Sequence, residues 1–134
     1  MNQLVRDAMV SEPLALEVGA SAQEAAEALT RDEVRAVLVT ENGRLVGVVT
    51  RKTLVREVVA RGLDPRRTTL REIAEPPNYT LDSSMPLDDA FALLEEQDLE
   101  RVPVVEREKL VGVLSRAVVR RRLAEDSPLP EPEE

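Results

Sequence analysis

The amino-acid sequence predicts an α+β protein built from two β-α-β-β-α repeats that pack about a pseudo-twofold axis. The chain matches itself without a gap at an offset of 65 residues, so that LVGVVTR at 45–51 falls on LVGVLSR at 110–116. In each copy, a stretch with helical spacing of alanine and leucine precedes two short runs rich in valine. A unit of about 60 residues has little interior of its own, so the two copies are expected to bury their apolar faces together.

The first repeat has clear local signals for its main helix and its hairpin. Ser21 and Glu24 have the spacing of a capping box, in which each side chain bonds to the other residue's backbone N–H. Two valine-rich runs at 36–40 and 44–50 then flank Asn42-Gly43, whose residue types favour the positive φ angles of a tight hairpin turn. A short helix with apolar periodicity is predicted after the second strand.

The second repeat follows the same plan with weaker turn chemistry. Pro86 stands near the first turn of its main helix, a position that proline favours. Arg107-Glu108 lies between its two strands and suits a two-residue primed turn poorly, so a looser loop is predicted. Thr69 and Glu72 form another capping box, which opens a short helix before this repeat like the one predicted near residues 3–9.

These patterns divide the chain into a first repeat at 3–62, a linker at 63–68, a second repeat at 69–124 and a tail at 125–134. The tail carries five acidic residues and no basic residue, which leaves a formal charge of −3 on the rest of a chain whose total is −8. A segment rich in proline and glutamate cannot bury enough apolar surface to fold, so the tail is expected to be disordered.

Composition excludes many kinds of chemistry. The chain has no histidine, cysteine or tryptophan, and its aromatic residues are Tyr79 and Phe91. A Cys/His zinc site, a Ser-His-Asp triad, a cysteine nucleophile and a base-stacking platform are therefore excluded. Gly47 and Gly112 are single strand glycines without a Gly-rich phosphate loop, and they are predicted to allow close backbone approach. We expect neither catalytic residues nor a metal site.

The sequence also suggests where the protein is found and what it does not bind. No apolar stretch approaches the roughly 18 residues that span a bilayer, and the first residues lack a signal-peptide core. Together with the absence of cysteine, this predicts a cytoplasmic protein without a membrane partner. The compact basic run Arg120–Arg122 falls on a helical pattern and is interpreted as a solvated helix end, so no nucleic acid partner is expected.

The strings AVLVTENGRLVGVVTR and RVPVVEREKLVGVLSR, each preceded by an alanine-bearing helix, resemble the CBS domain. The resemblance covers about residues 3–124, and this domain usually occurs as tandem pairs called Bateman modules. It implies a non-catalytic regulatory module that binds an adenosine-containing ligand in clefts between the repeats and signals to a partner protein. AMP, ADP, ATP and S-adenosylmethionine are the ligand class, no catalytic cofactor is implied, and a homodimer is expected.

The resemblance also implies which positions contact the ligand: the Thr or Ser that ends the second strand, residues just beyond it, and a cation before the first strand. Carried onto this chain, the positions are Thr50, Lys52, Thr53 and Arg35 in the first repeat, and Ser115, Val118, Arg101 and Tyr79 in the second. The family's typical residue at the positions of Thr53 and Val118 is aspartate, which accepts hydrogen bonds from two ribose hydroxyls. Thr53 can make one neutral hydrogen bond in its place, and Val118 can make none.

Each of these residues also has a simpler structural interpretation. Thr50 and Ser115 have the residue types that cap the helices following them. Arg101 and Lys52 fit solvated surface cations, and Tyr79 fits a packed ring with its hydroxyl in solvent. The alternative function is accordingly a ligand-free structural or dimerisation module with degenerate sites, and the sequence leaves the ligand and the partner open.

Overall fold

The computed structural model describes residues 3–11 and 13–126, which form short helices and strands in the predicted order. In chain order the elements are α1 (Val5–Ala8), β1 (Val10–Ser11), β2 (Ala15–Glu17), α2 (Ala22–Ala28), β3 (Val37–Glu41), β4 (Arg44–Val49), α3 (Arg51–Leu54), a π-helical turn (Val55–Val59), α4 (Leu70–Ile73), β5 (Leu81–Asp82), α5 (Leu87–Glu96), β6 (Arg101–Glu106), β7 (Lys109–Ser115) and α6 (Arg116–Asp126). The predicted α+β class, with β-α-β-β-α in both repeats and a short helix before each, is confirmed.

The chain forms two compact units whose limits differ from the repeat limits 3–62 and 69–124. The first-repeat unit comprises residues 13–78 and 108–110, and the second-repeat unit comprises the described residues of 3–11, 79–107 and 111–126. Thus α1 belongs to the second-repeat unit and α4 to the first-repeat unit. The short helix ahead of each repeat packs with the other repeat, which the order of elements along the chain did not reveal.

Each unit has its own strand pairing. In the first-repeat unit, β3 runs parallel to β2 and antiparallel to β4. In the second-repeat unit, β6 is likewise parallel to β5, and β1 pairs antiparallel with β7, where Val10 lies opposite Val113. The two-residue strand β1 was not predicted, because a pair of residues is too short to show periodicity.

The cores are aliphatic, as the composition requires. The first-repeat core joins buried residues of α2, β3, β4 and α4 with Val58, namely Ala22, Ala25, Leu29, Val37, Val39, Val49, Val58, Leu70 and Ile73. The second-repeat core joins the equivalent elements with α6, namely Val5, Ala8, Leu81, Leu87, Ala90, Leu94, Val102, Val104, Leu114 and Val119. Leu70 and Val5 are fully buried, so the short helices contribute to these cores as well as connecting the strands.

The two hairpin turns are more alike than the residue types suggest. Asn42 and Gly43 have φ angles of 54° and 85°, which confirms the predicted tight turn. The looser loop expected at Arg107-Glu108 is wrong, since these residues also have positive φ angles of 52° and 72°. The strand twist favours a two-residue turn with left-handed backbone at both positions, and two non-glycine residues adopt it here.

The helical segments after the strands also differ from the prediction in detail. The helix predicted after β4 continues as a π-helical turn, in which Val58 is buried while Val55 and Val59 are 57% and 71% exposed. Helix α6 extends through Asp126, so the first two residues of the tail predicted at 125–134 are helical. The rest of that tail lies outside the described residues. None of the described helices has the length and apolar character needed to cross a membrane.

Candidate functional site

A connected group of polar side chains lies where β4 gives way to α3 in the first-repeat unit. The Thr53 hydroxyl donates a 2.7 Å hydrogen bond to Oε2 of Glu75, and the Arg56 guanidinium donates a second bond of 2.7 Å to the same oxygen. The Thr50 hydroxyl accepts from the Thr53 N–H at 3.2 Å, and the Thr50 N–H donates to the Thr53 hydroxyl at 3.0 Å. We call Thr50, Thr53, Arg56 and Glu75 the first-repeat polar cluster.

Backbone packing on β4 brings Glu75 into this cluster. The Glu75 N–H donates to the Val48 carbonyl at 2.9 Å, and the Val48 N–H donates back to Glu75 at 2.8 Å. The neighbouring Gly47 makes this approach feasible, because a Cβ atom there would lie only 2.7 Å from the Cβ of Ala74. The close backbone approach predicted at this glycine therefore places a carboxylate beside Thr53.

The electrostatics of the cluster favour an ionised carboxylate. The hydrogen bond from Thr53, reinforced by that from Arg56 and by the positive charges of Arg56 and Lys52, lowers the pKa of Glu75 against an opposing effect of partial burial. Thr53 is 1% exposed, whereas the Glu75 side chain is 44% exposed. The carboxylate is thus held from its buried side and remains accessible to a solute from the other.

The second repeat has the same backbone arrangement without the polar side chains. At the offset of 65 residues, Val10 corresponds to Glu75 and Val118 to Thr53. Val10 pairs with Val113 of β7 as Glu75 pairs with Val48 of β4, and a Cβ atom on Gly112 would lie 2.8 Å from the Val10 carbonyl oxygen. A carboxylate and a hydroxyl in the first repeat are therefore replaced by two valines in the second.

Three of the predicted ligand positions of the first repeat, Thr50, Lys52 and Thr53, lie together where β4 is followed by α3. Thr50 caps α3, which agrees with its structural interpretation, and Lys52 is exposed beside the cluster. Thr53 is buried and its hydroxyl donates to Glu75, and its predicted contact with a ligand stays a prediction. Arg35 is exposed ahead of β3.

The predicted positions of the second repeat are less uniform. Ser115 ends β7 and is half-buried, as is Val118, while Arg101 is exposed at the first position of β6. Tyr79 donates its hydroxyl to Oε1 of Gln97 at 2.9 Å, and the residue is 37% exposed. The Tyr79 hydroxyl therefore bonds within the second-repeat unit, which differs from the packed ring with a solvated hydroxyl that was the alternative interpretation. The ligand roles of these residues stay predictions.

Glu75 and Arg56 were not among the site residues predicted from the sequence. Arg56 has a repeat partner in Arg121, which was a usable signal, but Glu75 falls on Val10 and follows no motif. What connects Glu75 to Thr53 is an isolated pairing of Glu75 with Val48. A pairing of single residues leaves no periodic trace in the sequence.

The arginines of α6 contact their own unit. Arg116, whose side chain is 14% exposed, forms ion pairs with Glu100 and with Asp98. Arg120 donates to Glu95 at 2.8 Å, and Arg122 donates to the backbone carbonyl of Asp7. These contacts engage two residues of the basic run 120–122 in intramolecular interactions. The run lies in the middle of α6 and not at its end as predicted, because the helix continues through Asp126.

The CBS domain family model matches residues 5–60 and 70–125. Hypoxic response protein 1 of Mycobacterium tuberculosis is 33% identical over 85 residues, and the match covers 63% of this chain and 59% of the relative's length. The CBS domain-containing protein YhcV of Bacillus subtilis is 28% identical over 111 residues, covering 83% of this chain and 79% of that relative.

Solved structures share the fold. The crystal structure of Hypoxic Response Protein I with two coordinated zinc ions has a TM-score of 0.75 at 26% identity, covering 90% of this chain and 98% of that one. The crystal structure of CBSX2 in complex with AMP has a TM-score of 0.72 at 26% identity, covering 92% of this chain and 97% of that one.

Proposed function

Because the chain belongs to the CBS domain family, we propose that this pair of domains is a regulatory module that binds an adenosine-containing ligand and reports it to a partner protein. The AMP, ADP, ATP and S-adenosylmethionine class is the proposed ligand class. The single observation that carries the proposal is the first-repeat polar cluster, in which an accessible carboxylate lies next to cations. The presence of AMP in the related CBSX2 structure supports the same class.

The chemistry of such ligands matches the side chains of this region. A nucleotide offers sugar hydroxyl groups, which donate hydrogen bonds to a carboxylate, and phosphate oxygens, which attract an ammonium group. Glu75 provides the carboxylate and Lys52 provides the ammonium group. The positive charge of Lys52 contributes to lowering the pKa of Glu75. No bond in the ligand needs to break, so binding alone is the proposed activity.

Regulation follows from thermodynamic linkage. A ligand shifts the equilibrium between two states of a protein by as much as its affinities for the two states differ. We propose that the bound nucleotide favours one arrangement of the module and thereby changes its affinity for a partner protein in the cytoplasm.

Thermal unfolding tests the ligand proposal directly. The chain is heated with millimolar AMP, ADP, ATP, S-adenosylmethionine or NADH in separate samples. A ligand at about 100 times its dissociation constant adds roughly 2.7 kcal/mol to the free energy of unfolding, which raises the melting temperature by several degrees. An unchanged melting temperature with all five compounds contradicts the proposal.

The second candidate function is a ligand-free dimerisation module. Two observations favour it: valines replace the polar pair in the second repeat, and Val55 and Val59 expose apolar surface on the π-helical turn. Sedimentation equilibrium measures the predicted homodimer, and comparison with a Val55→Asp/Val59→Asp variant shows whether this apolar pair supports it. A dimer without any nucleotide response would favour this function over the first.

A further inference from the structure

The two repeats provide an internal comparison that assigns a role to Glu75. Three side chains of the first repeat have partners of different chemistry in the second: Glu75, Thr53 and Lys52 correspond to Val10, Val118 and Ala117. Arg56 has an identical partner, Arg121. Both repeats hold the segment that carries residue 75 or residue 10 against a strand glycine in the same register, so at this pairing the difference between them lies in the side chains.

The geometry of Glu75 leaves one carboxylate oxygen available. The described hydrogen bonds of its side chain, from Thr53 and Arg56, both end on Oε2. The side chain is 44% exposed, so Oε1 belongs to a partly accessible group whose orientation is set from the protein side. A carboxylate held in this way loses little conformational freedom when a ligand binds, which favours affinity.

We propose that Glu75 is the acceptor for the sugar hydroxyls of the ligand, and that the chain consequently binds one such ligand, at the first repeat. The inference rests on the proposed function, and it adds the residue that accepts from the sugar and the number of ligands bound per chain. The second repeat offers valines where the first offers a carboxylate and its hydroxyl support. A ribose placed there would meet no carboxylate at these positions and would lack the charge-assisted hydrogen bonds that the first repeat offers.

Thr53 and Arg56 act as positioning residues in this arrangement. Thr53 is 1% exposed, so its hydroxyl reaches the ligand only through the carboxylate that it orients. Arg56 holds the same oxygen from the solvent side, since its side chain is 53% exposed. Replacing either residue should weaken ligand binding less than replacing Glu75, because the carboxylate remains.

Isothermal titration with AMP and with 2′-deoxy-AMP tests the assignment. We expect one AMP per chain and a preference for AMP over the deoxy compound of about ten-fold, the range for a hydrogen bond to a charged group. Glu75→Gln should bind AMP about ten-fold more weakly and lose most of that preference. Glu57→Gln is the matched control, since Glu57 lies on the π-helical turn and pairs with Arg61 beyond it, and it should retain the wild-type values.

A transplant into the second repeat provides a gain of function. The variant Val10→Glu/Ala117→Lys/Val118→Thr recreates the first-repeat side chains around Arg121, and its stoichiometry should rise to two AMP per chain. Circular dichroism and thermal unfolding verify that each variant is folded.

The outcomes distinguish the role of Glu75 from the proposed function of the protein. If wild-type protein binds AMP but Glu75→Gln keeps the wild-type affinity and sugar preference, the role of Glu75 is overturned while the proposed function stands. A wild-type stoichiometry of two, or a transplant variant that still binds one, overturns the explanation of the asymmetry. If the wild-type protein binds neither compound, this inference fails, whereas the proposed function is overturned only by an unchanged melting temperature with all five compounds of the unfolding experiment.

Discussion

The buried hydroxyl of Thr53 donates a 2.7 Å hydrogen bond to the partly exposed carboxylate of Glu75, which lies 22 residues further along the chain. The contact joins the start of α3 to the segment that follows α4. In the second repeat the same two positions are Val118 and Val10. One polar contact therefore distinguishes two repeats whose backbones are organised alike.

The first prediction concerns the stability that Thr53 contributes. Thr53→Val keeps the shape of the side chain but removes its bonds to Glu75 and to the Thr50 N–H, so the free energy of unfolding should fall by about 1–3 kcal/mol. Urea denaturation measures the change. Val118→Thr is the matched control in the other repeat and should stabilise the protein by less than Thr53→Val destabilises it, because Val10 offers no side-chain acceptor to a hydroxyl at 118. A Thr53→Val variant as stable as wild type would contradict the prediction.

The second prediction is a pH dependence carried by Glu75. Since the pKa of Glu75 is lowered in the folded state from its ordinary value of 4.5, the unfolded chain binds more protons as the pH falls past that value. The contribution is complete above the ordinary pKa and is lost as the pH falls through the folded-state pKa. Wild type and Glu75→Gln should therefore converge in stability as the pH falls below the ordinary value of 4.5 and through the lower folded-state pKa of Glu75.

Urea midpoints measured across this pH range provide the readout. Thr53→Val removes the largest cause of the lowered pKa, so it should show a weaker acid dependence than wild type. Parallel stability curves for wild type and Glu75→Gln over the same range would show that the carboxylate has no such role.

The third prediction tests the close backbone contacts at the strand glycines. Gly47→Ala would place its Cβ atom 2.7 Å from the Ala74 Cβ, and Gly112→Ala would place its Cβ atom 2.8 Å from the Val10 carbonyl oxygen. Each substitution should destabilise the protein by roughly 1–3 kcal/mol because neither neighbour is the end of a flexible side chain.

Gly19→Ala is the control for these variants, since no heavy atom lies within 4 Å of the added Cβ atom. Its stability should be close to that of wild type. Equal melting temperatures for all three alanine variants would contradict the packing argument. Gly47→Ala should in addition weaken AMP binding, because it displaces the segment that carries Glu75.

The fourth prediction concerns the turn at Arg107 and Glu108, where two non-glycine residues have φ angles of 52° and 72°. Replacing them with Asn-Gly, the pair found at residues 42–43, should raise the free energy of unfolding by about 1–2 kcal/mol. Glu108 also pairs with Arg44 at an exposed position, where an ion pair is worth about 0–1 kcal/mol. Thermal unfolding decides between a net gain and a net loss, and a lower melting temperature would contradict the prediction.

Much of the local structure was readable from the chain alone. The capping box at Ser21 and Glu24 and the tight turn at Asn42-Gly43 appear as predicted, because both depend on residues within a few positions of each other. The turn at Arg107-Glu108 was mispredicted, because the twist of the flanking strands outweighed the preferences of its residues.

Composition and the 65-residue repeat were sufficient to establish an aliphatic two-domain protein, since apolar periodicity specifies which face of a helix or strand is buried. They did not reveal that α1 and α4 each pack with the other repeat, nor that Glu75 meets Thr53. Both relationships arise when distant segments are brought together, one through burial of Val5 and Leu70 and the other through the space left by Gly47. The sequence thus identified the repeat positions to compare, and the packing of distant segments placed the Glu75 carboxylate beside Thr53.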